Sequence, residues 1–174
     1  GWPSAAGKRK RSAGMNRDDL TRLRRTDRAL PDEAIGSLLA RAAYGHTATA
    51  VDGQPFQHTS LFWFDAAERR IYFHGALQGR MIANVRANPR VCFTVAEIGR
   101  LFPAKTAMDF GNEYTSAVVF GRARLVNDDG EKQRALQALL DKHFPDLRPG
   151  RDYRPITPEE LSATAVYAIE IDAW

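Results

Sequence analysis

Two kinds of periodicity alternate along the chain. Apolar residues recur at helical spacing in residues 31–43, 80–87 and 132–143. Between these segments lie short runs of alternating polar and apolar residues that end at turn residues, which is typical of strands. The strand-like runs are residues 46–51, 55–64, 71–74, 91–95, 115–126 and 165–172. The pattern therefore predicts a mainly β protein with a few short helices.

The connections favour antiparallel pairing. Asp52-Gly53 is a hairpin-turn signal between the first two strands, and no strand–helix–strand unit repeats, so a doubly wound parallel sheet does not fit. Residues 99–112 have no clear period and contain Pro103, so we expect a long loop there. A small closed or partly closed six-stranded β-barrel with peripheral helices fits best.

The charge of the chain is concentrated at its N-terminus. The 174 residues carry 25 basic and 21 acidic side chains, and nine of the basic but only three of the acidic ones lie in residues 1–28. We therefore expect a flexible basic arm at residues 1–28, native or left by cloning, and one folded domain at residues 29–174. The folded domain is slightly acidic, which argues against a nucleic-acid partner. Binding of a polyanion by the arm remains an alternative.

Several classes of protein and site do not fit the sequence. The first residues have no apolar signal-peptide core, and no run approaches the roughly 20 apolar residues of a membrane helix. The single cysteine, Cys92, excludes an internal disulfide and a cysteine-based zinc site, and we expect it to be an inert core thiol. The four histidines are not spaced as metal ligands, so no metal is predicted. A cytoplasmic protein fits these features.

The strand at residues 71–74 carries two side chains that could take part in binding or catalysis. Because side chains alternate along a strand, Ile71 and Phe73 should face the core, while Tyr72 and His74 present a phenol and an imidazole on the other face. His74 is the leading candidate for a catalytic side chain, since an imidazole can donate a proton or anchor an anion.

A turn with two glycines follows that strand. Gly75 and Gly79 allow a sharp turn and close approach of a ligand, and a helix then begins at about Gly79-Arg80. The free N–H groups of a helix start favour an anion, and Arg80 adds a bidentate donor. The arrangement predicts a phosphate site, although G-x-G-x-x-G and G-x-x-x-x-G-K are absent. The alternative is an ordinary strand-to-helix turn with an exposed arginine.

The strand at residues 55–64 carries a polar triplet, His58, Thr59 and Ser60, among aromatic residues. We expect it to lie next to the strand of His74 and to contact a flat heteroaromatic ring. The alternative is a polar strand face that meets solvent.

Together these motifs resemble a known family. The stretches "IYFHGALQGR" and "NPRVCF", with "DFGNEYTSAVVFGRARLV" and the closing "AVYAIEIDAW", are similar to the FMN-binding split-barrel flavoproteins. Within them, the nitroimidazole-resistance type of the pyridoxamine-phosphate-oxidase-like group is the most similar. The resemblance covers residues 30–174 and implies a six-stranded antiparallel split barrel. It also implies a homodimer with two FMN sites at its interface.

The resemblance also implies roles for individual residues. Arg80 corresponds to the arginine that binds the FMN phosphate, and Trp174 to a C-terminal tryptophan that closes over the site. Tyr114 and Ser116 correspond to polar positions that reach the flavin from the second subunit. The positions implied to line or flank the flavin are His58, Thr59, Ser60, Leu61, Tyr72, His74 and Gly75.

The sequence departs from true pyridoxine-phosphate oxidases. It reads "TSAVVFG" where they have an R-Q-V-R-x-E-G-type strand, and it lacks their basic C-terminus, so we do not expect that activity. The resemblance instead implies two-electron reduction of a small organic acceptor, for example a nitro-aromatic compound, with NAD(P)H as donor. The deazaflavin F420 or heme as cofactor, and a flavin- or heme-binding storage or sensor protein without turnover, remain alternatives.

Overall fold

The structure is a computed structural model that describes residues 16–174. The prediction of a flexible arm therefore falls partly on residues 1–15, which lie outside the described residues. The helices are α1 (Arg17–Leu20), α2 (Asp32–Arg41), α3 (Arg80–Ala87), α4 (Asp129–His143) and α5 (Pro158–Ala163), with 3-10 turns at Thr26–Arg28 and Ala107–Asp109. The strands are β1 (Tyr44–Val51), β2 (Gln54–Leu61), β3 (Trp63–Asp65), β4 (Arg70–Gly75), β5 (Arg90–Phe102), β6 (Gly111–Leu125) and β7 (Ala165–Ala173).

The strands form one antiparallel sheet in the order β2-β1-β5-β6-β7-β4-β3. The mainly β, antiparallel split-barrel prediction is confirmed. The sheet is not closed by hydrogen bonds, because β2 and β3 are its two edge strands in the described part of the chain. The predicted number of six strands was wrong, since the structure has seven.

The additional strand arises where the sequence predicted one continuous strand at residues 55–64. The chain pairs with β1 as far as Leu61 and then pairs with β4 from Trp63 onward. Phe62, between the two strands, is fully buried. One stretch of chain thus passes from one edge of the sheet to the other, and we call the gap between β2 and β4 the seam. The two strands approach closely across it, since the rings of His58 and Phe73 lie 6.0 Å apart.

Aromatic rings fill the barrel beside the seam. Phe73 stacks on Tyr167 with centroids 4.8 Å apart, and Phe62 meets Phe93 edge-on at 5.0 Å. Helices α2 and α3 add Leu38, Leu39, Met81, Ile82 and Val85 to the same core cluster. Full burial of such a side chain contributes about 1.5–3 kcal/mol, and these five are buried almost completely. The core therefore holds the start of α3 firmly against the seam.

Local signals predicted several boundaries. The hairpin turn is confirmed, with positive φ values of 52° at Asp52 and 79° at Gly53. The sequence Thr157-Pro158-Glu159-Glu160 predicts the capped start of a helix, and the structure confirms it with a capping box at Thr157. Helix α4 begins three residues before the predicted position 132, because the Asp128 side chain accepts a hydrogen bond from the Glu131 N–H and caps it.

The prediction of a long loop at residues 99–112 was wrong. Strand β5 continues to Phe102 and β6 begins at Gly111, so the two extend as a hairpin with a register shift between Ile98 and Leu101. Ile98 and Leu101 are 72% and 71% exposed. Because neither face of this extension packs on the core of the chain, no alternation of polar and apolar residues marks it as a strand.

Candidate functional site

A cavity of about 200 Å³ lies where the seam meets the start of α3, and we call it the seam cavity. It brings together three of the predicted site residues, His58, Gly75 and Arg80. The other residues that line it are Phe56, Ala76, Gln78, Met81 and Tyr167. Of these, Phe56 could have been found from the strand period, since it lies two residues before His58 and therefore on the same face. Tyr167 comes from β7, and no local signal connects it to the site.

Helix α3 begins where the turn with two glycines predicted it. Gly79 has φ 118° and ψ −176°, a conformation that side chains disfavour, and a Cβ added there would meet no atom within 4 Å. Helix α3 then begins at Arg80, and its first backbone bond runs from the Ala83 N–H to the Gly79 carbonyl at 3.2 Å. The N–H groups of residues 80–82 precede that bond and have no intrahelical acceptor. They are therefore free to bind an anion.

Arg80 provides a positive charge at this point. Its side chain is exposed, and its guanidinium lies 5.4 Å from the centre of the Phe56 ring. No carboxylate among residues 16–174 forms an ion pair with it. Because its charge is not neutralised from within the described chain, the guanidinium can bind an anionic ligand at the helix start.

Two imidazoles flank the seam. His58 lines the seam cavity, whereas His74 lies at the open end of β4 beside it. Desolvation by surrounding protein atoms, followed by the nearby charge of His58, lowers the pKa of His74 below its ordinary value, although the residue remains partly open to solvent. At neutral pH His74 is therefore uncharged, which lets one ring nitrogen accept a proton.

Two hydroxyls on the hairpin of β1 and β2 have no hydrogen-bond partner among the described residues. They are Ser60 Oγ on β2 and Thr47 Oγ1 on β1, and both atoms are buried. Ser60 pairs with Gly45, and His58 pairs with Thr47, so these residues share the face of the hairpin that His58 presents to the cavity. A buried hydroxyl without a partner is costly, and a bound polar ligand would relieve that cost.

The polar triplet does not act as one surface. Thr59 and Leu61 point to the face opposite His58 and Ser60, because side chains alternate along β2. On that face the Thr59 hydroxyl lies 2.9 Å from Nδ1 of His46. His46 lies within β1, the strand predicted to begin at residue 46. Its position after Gly45 also suggested the end of the preceding helix, and that interpretation was wrong, because α2 ends at Arg41. Thr59 and Leu61 can therefore reach a ligand in the seam only through their backbone, on the edge of β2 that pairs with no other described strand.

Tyr72 does not present its phenol to a ligand, so that prediction was wrong. The side chain is fully buried beneath α4, stacks on Trp63 at 5.3 Å and donates a 2.8 Å hydrogen bond to Glu131. Burial, followed by the Glu131 bond, raises the pKa of Tyr72. Glu131 also accepts bonds of 2.6 and 3.1 Å from the Arg124 guanidinium. The second face of β4 is thus a polar anchor for α4, which the sequence could not reveal because its members are far apart in the chain.

The remaining predicted residues lie at a second cavity. Tyr114, Ser116 and Trp174 line a space of about 950 Å³ between the segment at residues 20–30 and the β5–β6 hairpin, and we call it the arm cavity. None of the three lines the seam cavity of the same chain. The predicted site residues therefore form two groups.

Trp174 is held by three contacts at the edge of the arm cavity. Its indole N–H donates a 2.9 Å hydrogen bond to Asp32, and the Arg69 guanidinium lies 3.8 Å above its ring. Phe64 meets it edge-on at 6.1 Å. Within one chain these contacts join the end of β7 to the start of α2.

Three further properties of the described chain bear on function. Residues 16–174 contain no cluster of three or more histidine, cysteine or carboxylate side chains arranged to hold a metal ion. In the same range, no helix combines the length and apolar character needed to span a bilayer. Cys92 lies in β5, partly buried, and burial raises the pKa of its thiol, which disfavours the reactive thiolate.

The chain is similar to a protein family and to several solved structures. A family model described as pyridoxamine 5'-phosphate oxidase matches residues 31–174. A flavocytochrome from Azotobacter vinelandii shares 26% identity at a TM-score of 0.68, with 82% of this chain and 64% of that chain covered. This chain therefore spans less than two thirds of the flavocytochrome. An FAD-binding protein from Mesorhizobium loti shares 25% identity at a TM-score of 0.59, with 82% and 91% covered.

A candidate 5-nitroimidazole antibiotic resistance protein from Bacteroides thetaiotaomicron shares the fold. Its identity is 19% and its TM-score 0.67, with 83% of this chain and 81% of that chain covered. No curated protein matches the chain significantly. Since the family model spans nearly the whole folded domain, and its split-barrel architecture is the one described above, the chain belongs to the pyridoxamine 5'-phosphate oxidase family.

Proposed function

We propose that the chain is a flavoprotein that binds FMN along the seam and, as a homodimer, reduces a small organic acceptor with NAD(P)H. The observation that carries this proposal is the unpaired guanidinium of Arg80 at a helix start opened by Gly79. This positive site lies in a cavity between β2 and β4, two strands that are not hydrogen-bonded to each other.

The phosphate of the cofactor fits the start of α3. Arg80 can bind two phosphate oxygens with its planar fork, and the N–H groups of residues 80–82 point toward the same anion. Gly79, whose positive φ favours glycine, has no side chain that could obstruct that approach. No other charge in the described chain competes for Arg80 by an ion pair.

The ring of the cofactor fits the seam. A flavin ring has polar atoms along one edge, and β2 offers an unpaired backbone edge together with the buried hydroxyl of Ser60. His58 and Phe56 supply flat apolar surface at the same place. A flavin would thus satisfy groups that have no partner in the described chain.

The seam cavity of one chain is too small for the whole cofactor. Its volume of about 200 Å³ lies below the roughly 300–1,000 Å³ of ordinary ligand pockets. A second copy of the chain would supply the missing wall. The exposed apolar side chains of the β5–β6 hairpin, Met108 at 96% and Phe110 at 61% with Ile98 and Leu101, are suited to that contact.

When bound, the flavin supplies the two-electron chemistry, and the protein supplies binding and proton placement. His74 is the proposed catalytic side chain, because its imidazole lies beside the seam and, being neutral, can accept a proton. It can also anchor an acidic substrate. A cytoplasmic location stays a prediction.

Other cofactors share parts of this fit. FAD and F420 also carry phosphate, and one structural relative is an FAD-binding protein while another is a flavocytochrome. The second candidate function is therefore a flavin- or heme-binding protein without turnover. Retention of the cofactor without NAD(P)H-dependent reduction of any acceptor would favour it.

The visible spectrum of the purified full chain tests the proposal. We expect flavin absorption bands, release of FMN identified by mass spectrometry, and a dimer mass in sedimentation equilibrium. Anaerobic addition of NADPH should bleach the flavin bands, and a nitro-aromatic acceptor should restore them. A colourless protein that fails to quench the fluorescence of added FMN would refute flavin binding, and a heme absorption band would move the assignment to heme.

A further inference from the structure

Helix α3 is attached to the β1–β2 hairpin by polar contacts as well as by its apolar face. Met81, Ile82 and Val85 pack in the barrel core. Apolar packing has no preferred direction, so it fixes the rotation of a helix and its position along its axis less sharply than hydrogen bonds do. The proposed function places a phosphate at the start of α3, where both of these settings matter.

The polar contacts come from two asparagines that share one face of the helix with Arg80. Asn84 and Asn88 follow Arg80 at intervals of four residues, which places the three one above another. Asn84 Nδ2 donates a 2.7 Å hydrogen bond to the Thr49 hydroxyl, and Asn88 Nδ2 donates a 2.9 Å bond to the Ala50 carbonyl. Both acceptors belong to β1. The row therefore aligns α3 with the end of that strand.

The Thr49 hydroxyl extends this connection to β2. Thr49 is 3% exposed and pairs with Phe56 across the hairpin. Its hydroxyl donates a long bond of 3.4 Å to the Phe56 carbonyl. The Phe56 ring in turn lies 5.4 Å from the Arg80 guanidinium. Arg80, Phe56, Thr49 and Asn84 thus form a closed circuit. In this circuit, the helix that carries the guanidinium is hydrogen-bonded, through one threonine, to the residue that the guanidinium contacts.

We infer that Asn84 and Thr49 are positioning residues for a phosphate bound at the start of α3. Neither residue lines the seam cavity, so both act through the position of Arg80 rather than by touching the anion. A binding site must hold its groups within about 0.5 Å of the productive geometry. The Asn84–Thr49 bond sets where the guanidinium and the N–H groups of residues 80–82 point. The inference rests on the proposed function, which places the phosphate there.

Titration of the full chain, freed of bound flavin, with FMN and with riboflavin tests this role. Quenching of flavin fluorescence gives both affinities. Riboflavin has the same ring as FMN but no phosphate, so it reports binding of the ring alone. Thr49→Val keeps the branched shape of the side chain and removes the hydroxyl. It should weaken FMN binding about 3- to 10-fold, less than the loss of a whole charge-assisted bond, and change riboflavin binding by less than about twofold.

Further variants separate positioning from packing. Thr49→Ser keeps the hydroxyl and loses a methyl group, so its FMN affinity should stay within about twofold of wild type, whereas a packing role would make serine the worse substitution. Asn84→Ala should weaken FMN binding as Thr49→Val does. In an Arg80→Ala background, Thr49→Val should have no further effect on FMN affinity, because both changes act through one guanidinium.

Thr164→Val is the matched control. It removes a hydroxyl that donates a 2.8 Å bond to the Glu160 carbonyl, and Thr164 does not line the seam cavity. Both affinities should therefore stay at their wild-type values.

The outcomes decide the inference. Weaker FMN binding with unchanged riboflavin binding, restored by serine at position 49, would support it. An equal loss for both ligands, or an effect of Thr49→Val that persists without Arg80, would overturn it, because the change would then act on the whole barrel. A preference for FMN over riboflavin that survives in both Thr49→Val and Asn84→Ala would overturn the positioning role alone. A wild-type protein without that preference would refute the phosphate site of the proposed function and this inference with it.

Discussion

Replacing Arg80 with alanine should release the flavin and leave the fold intact. The side chain is exposed, forms no ion pair in the described chain, and contacts Phe56 at 5.4 Å. An exposed cation–π contact contributes about 0.5–1 kcal/mol, so the free energy of unfolding should fall by no more than about 1 kcal/mol. A charge-assisted hydrogen bond to phosphate contributes about 1.5–3 kcal/mol. Its loss should therefore raise the flavin dissociation constant about 10- to 150-fold.

Quenching of flavin fluorescence measures this change directly. Apo-protein of each variant is titrated with FMN, and urea unfolding of the same apo-proteins measures stability. Arg90→Ala is a matched control, since Arg90 is exposed on β5 and does not line the seam cavity. Arg80→Lys keeps the charge but not the planar fork, so its affinity should lie between those of wild type and alanine. Equal FMN affinity in Arg80→Ala and wild type would refute the phosphate assignment.

Three further predictions concern stability. Gly79→Ala should cost about 1–3 kcal/mol in urea unfolding, because its φ of 118° strains any side-chain residue even where a Cβ meets no atom; an unchanged midpoint would contradict this. Glu131→Gln should also cost about 1–3 kcal/mol, whereas exposed Glu33→Gln should cost less. The Arg124 bond lowers the pKa of Glu131, so its stabilisation is present above the ordinary value of 4.5 and is lost as the pH falls through the lowered pKa. The difference between wild type and Glu131→Gln should shrink there, and a constant difference would count against the ion pair. Burial lowers the pKa of Lys142 to about 8 from 10.5, so between these values the unfolded chain binds the additional proton. Wild-type stability should rise with pH in that window relative to Lys142→Met, by at most about 1.4 kcal/mol per pH unit, and parallel pH profiles would contradict that effect.

Part of this structure could be predicted from the sequence, because it depends on interactions between neighbouring residues. Asp52-Gly53, the Thr157 capping box and the Gly79-Arg80 helix start each depend on neighbouring residues, and each lies where it was expected. The antiparallel architecture could also be predicted, because the alternating segments follow one another without crossover helices. The three residues that meet at the seam cavity, His58, Gly75 and Arg80, come from β2, the end of β4 and the start of α3.

The errors share a different origin, which is contact between distant parts of the chain. The break at Phe62 depends on the space available inside the barrel, and nothing in the local pattern marks it. Tyr72 alternates correctly with Phe73, yet α4 covers the face that looked open. The hairpin at residues 98–102 pairs without any core beneath it, so its side chains carry no periodic signal. In each case the deciding partner lies far away in sequence.

The seam has a consequence for how a ligand enters the barrel. In a barrel in which all neighbouring strands are hydrogen-bonded, a flat ligand could enter between two strands only if backbone hydrogen bonds were broken. Here β2 and β4 share no ladder, and β2 is joined only through Phe62 to β3, which pairs with β4. A flat ligand can therefore lie in this slot while the hydrogen bonds of the ladder on either side stay intact. Entry of the ligand through this slot therefore breaks no hydrogen bond between strands.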